Sequence, residues 1–218
     1  MTVSIPGGRL VRTLAALSLV AWPVAGCTQA QLNGGSSSSY LILTSLDAAS
    51  GAAPSEFGHV LPSDVITNVR TTIGGEQVTV ATIFDDIGRV ALDLGLKDPG
   101  TGTAPTLPTT ANFITVNRYR VEFFRADGRN TPGVDVPYGF DGAVTFTVGG
   151  SGAGATFTIV RNQAKSEAPL KALAGGGGAI AISAIARVTL FGRDQSGREV
   201  SVSGQISVNF ADWGDPTS

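Results

Sequence analysis

The chain alternates. Along "REVSVSGQISVNFAD", Val200, Val202, Ile206, Val208 and Phe210 share one side, and Glu199, Ser201, Ser203, Gln205, Ser207 and Asn209 share the other. A period of two is what a strand with one buried face requires. "RVALDLGLK" repeats it, with Val90, Leu92, Leu94 and Leu96 opposite Ala91, Asp93, Gly95 and Lys97. In "EQVTVATIF" the aligned set is Val78, Val80, Thr82 and Phe84. In "FITVNRYRVEFF", Tyr119, Val121 and Phe123 alternate with Arg118, Arg120 and Glu122. Together with "SYLILTSL", "AVTFTV", "TFTIVRN" and "AIAISAIARVTLFGRD", these segments predict about eight strands.

Breakers divide the strands. Asp85-Asp86-Ile87-Gly88 reads as a turn, Asp127-Gly128 as a hairpin-type turn, and 149–154 and Asp194-Gln195-Ser196-Gly197 as further turns. The stretch 98–110, "DPGTGTAPTLPTT", is a loop long enough to be functional or to cross between sheets. Pro169 confines "QAKSEAPLKAL" to a helical turn. Gly175 to Gly178 is a break, and no Lys-Ser/Thr follows to make it a phosphate loop. A chain of strands without long helices buries its apolar faces by stacking two sheets. The expectation is an all-β fold: a single immunoglobulin- or fibronectin-III-like β-sandwich over 40–213, with a C-terminal tail at 214–218. A closed barrel is the alternative architecture.

The first 26 residues break this pattern. Arg9 and Arg12 precede an apolar run from Thr13 that continues through Val24-Ala25, which reads as an export signal over 1–26. The uncharged run is too short to span a bilayer and is interrupted by Pro23. Val24, Ala25, Gly26 and Cys27 match at every position, and so resemble, the lipobox of bacterial lipoproteins. The resemblance implies cleavage before Cys27, diacylglycerol on its thiol and a further acyl chain on the new amine. It thus implies a bacterial envelope protein attached to the membrane by its lipid. Thr28 stands where Asp favours inner-membrane retention in that family, so the outer membrane is expected if the source has two membranes. Two or three chains make a stable anchor. The stretch 27–39 is then the lipidated Cys and a flexible polar tether. The region from Phe113 to Asp212 is also similar to a family of bacterial envelope proteins, through "NRYRVEFFRADGRNTPGVDVPYGFDGAVTFTV" and "RDQSGREVSVSGQISVNFAD". That resemblance implies one continuous domain and brings no activity with it.

Composition narrows the chemistry. Cys27 is the only cysteine of 218 residues, so no internal disulfide forms and an antibody-type bridged sandwich is excluded. Removing a segment with two Arg and no acid takes the formal charge from −2 to −4. A mildly acidic chain argues against nucleic acid and against a polybasic membrane patch. His59 is the only histidine, so a Ser-His-Asp triad would need it, yet no nucleophile elbow accompanies it. The expected site set therefore has no catalytic residue and no metal ligand.

Asp85, Asp86, Asp93, Asp98, Asp127, Asp135, Asp141, Asp194, Asp212 and Asp215 sit mostly in turns. Such loops could hold Ca²⁺ through oxygen, but Asp is also an ordinary turn former. Asp85 and Asp86 are adjacent and point apart, which suits an acid/base pair poorly. Arg118, Arg120, Arg125 and Arg129, interleaved with Tyr119, Phe123 and Phe124, read as a solvated strand face over a core face rather than a nucleic-acid platform. Trp213 reads as a cap on the sandwich end.

Three functions remain. The first is a lipid-anchored, non-catalytic envelope module that binds or scaffolds other envelope components, with a protein partner and no cofactor beyond its acyl chains. The second is a carbohydrate-active hydrolase, which needs two acids facing across a cleft. The third is a glycan-binding module, which needs Tyr138, Phe140 and Trp213 as an exposed platform.

Overall fold

The computed structural model describes Thr2 and residues 36–215. The expected export signal over 1–26, the lipobox-like Val24-Ala25-Gly26-Cys27 and the expected tether as far as Gly35 lie outside the described residues, Thr2 excepted. Twelve strands follow in chain order: β1 Ser39–Ala49, β2 Val60–Asp64, β3 Thr67–Ile73, β4 Glu76–Thr82, β5 Asp86–Leu96, β6 Gly100–Thr101, β7 Ala104–Pro105, β8 Ile114–Phe124, β9 Phe140–Val148, β10 Ala153–Val160, β11 Ile182–Asp194 and β12 Glu199–Ala211. Among the described residues one short helix, α1, covers Asn162–Ser166, with 3-10 turns at Thr110–Asn112 and Leu170–Leu173.

Two sheets stack into a sandwich, as the alternation predicts. One has three strands in the order β1-β5-β10; the other has five, β2-β12-β11-β8-β9. Neighbours are antiparallel except β2 and β12, which run parallel. The inward faces meet in one core. Leu41, Val90, Leu92 and Ile159 come from the small sheet, and Val116, Val121, Val188, Leu190, Val208 and Phe210 from the large one. The even-numbered apolar side of β12 is the buried side: Ile206, Val208 and Phe210 are in the core, while Ser201, Ser203, Gln205 and Ser207 are exposed. Outer strands β1 and β10 each pair with β5 alone within their sheet, so it stays open rather than closing into a barrel.

Register sets glycine opposite an aromatic ring three times. Tyr40 pairs with Gly95, Phe157 with Gly88, and Tyr119 with Gly142. Each ring lies flat over its glycine, and a Cβ at Gly142 would stand 2.3 Å from the Tyr119 ring. A ring covering a bare backbone buries area that neither residue buries alone.

The strands give the sandwich two distinct ends. β1 starts at Ser39 beside Leu96, and β8 starts at Ile114 beside Val148 and Asp194. This is the entry end. The last serines of the polar stretch belong to it: Ser37 and Ser39 are buried, and the Ser39 hydroxyl donates to the Asn112 carbonyl at 2.7 Å. The opposite, far end gathers Ala49, Asp86, Phe124, Phe140, Val160 and Ala211. From it the β3–β4 hairpin projects. Its strands pair with each other and with no other strand, and Ile73 near its tip is 62% exposed.

Two sequence expectations are corrected. Asp85-Asp86-Ile87-Gly88 is not a turn, because β5 begins at Asp86, whose buried partner comes from a segment far along the chain. The Asp127-Gly128 turn exists, with Gly128 at φ 83°, but it lies within a loop 125–139 rather than closing a tight hairpin. The turn 149–154 joins strands of different sheets, carrying the chain from β9 to β10.

Candidate functional site

Period two on β8, β11 and β12 places a set of polar and charged side chains on the outer face of the five-stranded sheet. Cross-strand pairing lines them up in rows: Ser201–Phe191–Arg118, Ser203–Thr189–Arg120–Asp141, Gln205–Arg187–Glu122 and Ser207–Ile185–Phe124. The Arg118 guanidinium lies over the Phe191 ring at 3.9 Å, and Arg187 over Phe124 at 4.9 Å. Arg118 donates to Asp141 at 2.9 Å and Arg193 to Glu199 at 3.0 Å. Arg120 bridges Glu122 and Asp141, both at 3.4 Å. Each exposed pair contributes about 0–1 kcal/mol, so these contacts orient side chains more than they stabilise the fold. Between Arg118, Phe191, Arg193, Glu199 and Ser201 runs a groove of about 610 Å³.

The far end holds a buried polar knot. Lys165 on α1 inserts its ammonium into the sandwich, where Nζ donates to Asp86 Oδ1 at 2.7 Å, and both side chains are almost wholly buried. The Ser63 hydroxyl donates to Asp86 Oδ2 at 2.6 Å, and the Gly51 amide donates to Oδ1 at 2.9 Å. Burial pushes the Asp86 carboxyl above its ordinary range, against the pull of the Lys165 charge and these donors. Asp64 is a neighbour of this knot. It accepts from the Thr67 hydroxyl and, at 3.0 Å, from the Trp213 amide. Burial raises its carboxyl too, opposed by those hydrogen bonds, by the Ile66 amide and by the Lys165 charge.

The raised Asp64 carboxyl sets the sign of a pH effect. Its contribution to stability is fully present below the unfolded value, near 3.8, and is lost as pH rises through the higher folded value. Asparagine does not titrate. The stability of Asp64→Asn relative to the parent therefore rises between about pH 4 and neutrality. Urea midpoints at several pH values read this directly; a flat or falling difference contradicts it.

The other sequence candidates take structural places. Asp98 accepts from the Gly100 amide at 3.0 Å, Asp135 from Thr131 at 3.1 Å, Asp194 from Ser196 and Arg198 at 2.9 Å, and Asp212 from Gly175 at 2.6 Å. Asp215 accepts from the Asn68 amide at 2.6 Å, and Asp93 is exposed beside Gly152. Asp127 gathers Arg125 and Arg129, whose hydrogen bonds hold its carboxyl far below the ordinary range. Among the described residues no three His, Cys, Asp or Glu side chains stand close enough to hold one metal ion. His59 is exposed and sits 3.0 Å from Asp47, which Arg89 also contacts.

Tyr119 and Phe123 face the core rather than solvent. Trp213 is half-buried, and its indole N–H donates to the Asn209 carbonyl at 3.2 Å, so it caps the far end. The Tyr138–Phe140–Trp213 platform does not form, because Phe140 is buried under the Arg161 guanidinium and only Tyr138 is widely exposed. Sequence reasoning missed Arg187, Phe191 and Arg193 on the outer face, and Lys165 within. The period-two rule applied to β11 finds the first three; nothing local marks Lys165.

Among the described residues no helix is long and apolar enough to cross a membrane. The chain matches no family model, no curated protein and no solved structure.

Proposed function

We propose that this chain is a lipid-anchored, non-catalytic module of the bacterial envelope, which holds a protein partner on the outer face of its five-stranded sheet. We take the sandwich to be immunoglobulin-like, a reading supported by three strands in one sheet stacked on five in the other. The observation that carries the binding role is the face, uncovered by any other strand or helix among the described residues, on which Arg118 and Arg187 lie over Phe191 and Phe124. Arginine and aromatic residues are the side chains enriched where proteins meet. Four arginines against Asp141, Glu122 and Glu199 leave that face close to neutral, which suits a protein better than a polyanion. The anchor is supported by the lipobox resemblance at Val24-Ala25-Gly26-Cys27 and by the polar stretch leading to Ser39.

Photo-crosslinking in native membranes tests this. A crosslinking amino acid at Gln205 is expected to trap a defined neighbour, the product is expected to disappear in Arg187→Glu, and the same amino acid at Val80 on the hairpin is expected to trap none of it. Capture from Val80 alone, or capture indifferent to Arg187, would assign the binding elsewhere. Cys27→Ala is expected to move the protein from the membrane to the soluble fraction. A parent protein that is itself washed off by salt would refute the lipid anchor.

A further inference from the structure

Two adjoining clefts open at the far end, one of them reaching Asp141, the partner of Arg118 in the outer-face groove. One, of about 230 Å³, is lined by Asp85, Asp141, Thr158, Arg161, Asn162 and Gln163 among others. The other, of about 160 Å³, is lined by Tyr138, Arg161, Gln163 and Glu167 among others. Arg161 and Gln163 line both and so join them.

The side chains are held in place. Arg161 rests on the Phe140 ring at 3.9 Å and makes no ion pair among the described residues, so its donors are not committed to a carboxylate. Gln163 Nε2 donates to Glu167 Oε1 at 3.0 Å, which fixes both across one turn of α1. Tyr138 is 58% exposed, yet its ring is backed by the turn 131–136. Gly133 sits there at φ 77°, with its amide donating to the Val136 carbonyl at 2.8 Å. A Cβ on Gly133 would stand 2.6 Å from a carbon of the Tyr138 ring. One ring face is therefore pressed on the backbone and the rest is open to water.

We propose that these clefts form a binding site for a neutral pyranose oligosaccharide. A rigid, exposed ring offers the apolar surface on which the C–H face of a sugar packs. Arg, Gln, Asn, Asp and Glu are planar groups whose paired donors or acceptors match vicinal hydroxyls. Concave sites with an aromatic wall and a few fixed polar groups are where small ligands bind. The charge balance selects within the class. With Asp141 paired to Arg118 and Arg120, Asp85 and Glu167 still outnumber Arg161 in the lining, so a uronic acid meets net repulsion. The two acids that a hydrolase would need are engaged instead as acceptors. Asp141 is held by Arg118 and Arg120, and Asp85 receives the Asn162 amide. The role assigned to the site is binding alone. This inference does not rest on the outer-face partner, and Asp141 is the one side chain the two regions share.

The test is a ¹⁵N NMR titration of the full chain in detergent solution. The probes are cellotetraose, chitotetraose and trigalacturonate. At least one neutral probe is expected to give saturable shifts, at up to about 10 mM, centred on Tyr138, Arg161 and Gln163, with trigalacturonate binding about tenfold more weakly or not at all. Tyr138→Ala and Gln163→Ala are each expected to weaken binding about fivefold or more while leaving the melting temperature in place, since both side chains lie at the surface. Absence of saturable shifts with both neutral probes overturns the proposal. So does equal binding of the anion, or Tyr138→Ala binding that matches the parent. Shortened probe after prolonged incubation overturns the non-catalytic part. Loss of this binding leaves the crosslink at Gln205 untouched, so the two readings fail separately.

Discussion

Lys165→Met lowers the unfolding free energy at neutral pH by about 3–5 kcal/mol, the usual cost of removing one member of a buried ion pair. The effect is large because Asp86 has no water to fall back on. Its carboxylate is wholly buried, and Ser63 and Gly51 satisfy it only as hydrogen-bond donors. Without the ammonium, the Asp86 carboxyl rises further and binds a proton more readily in the folded state. Its contribution is then favourable at low pH and is lost as pH rises, so the penalty grows from about pH 4 to pH 7. The double variant Lys165→Met/Asp86→Asn removes the stranded charge, while the Asn oxygen can still accept from Gly51. It is expected to recover a large part of the loss. Urea unfolding of the three proteins at both pH values decides the matter. A loss under about 1 kcal/mol at pH 7 would mean that the pair behaves as a surface bridge and that α1 does not seal the far end.

Phe210→Ala is expected to cost a similar amount, about 3–5 kcal/mol. Phe210 is fully buried on β12 and meets Phe123 of β8 edge-on, with ring centres 5.9 Å apart. The contact spans β11, so the lost ring leaves a cavity bounded by backbone on one side, which cannot easily collapse. For a domain of this size the melting temperature falls by roughly 6–20 °C. Val80→Ala on the β3–β4 hairpin is the matched control. It removes apolar carbon from an exposed position on a strand that pairs with no strand of the sandwich and is expected to stay within about 0.5 kcal/mol. Similar losses in the two variants would show that the hairpin is integral to the core.

The strands that were legible in sequence are those with one wet and one dry face. β12, β5 and β8 alternate because the sandwich buries every second side chain, and the pattern survives without knowledge of their neighbours. β2 was missed because Pro62 breaks the pattern, yet β2 is an edge strand, where a missing N–H is tolerated. β3, "TNVRTTI", was missed because its residues show no alternation, while its hairpin partner β4 does alternate and yet buries no side chain fully, so the half-buried strand expected there is corrected. Asp86 was read as turn chemistry because its local neighbours are Asp85 and Gly88, while the group that makes it a buried anion lies 79 residues away. The outer face was half visible. Arg118, Arg120 and Glu122 declare themselves on β8, but the rings beneath the guanidiniums depend on register between β8 and β11, which no single strand encodes. The far-end clefts were less visible still, since their walls come from the 131–142 region, Asp85 and the segment after β10.

The two ends of the sandwich also fix how it meets mechanical force. Force applied between Ser36–Ser39 and the Tyr138–Arg161 region runs along β1 and β10 rather than across them. The hydrogen bonds that join these strands to β5 stand perpendicular to that line. They are therefore strained together in shear and must fail in concert, instead of parting one after another as a zipper does. The β3–β4 hairpin lies outside this path. It can bend or be torn back while the sheets that carry the tension remain intact.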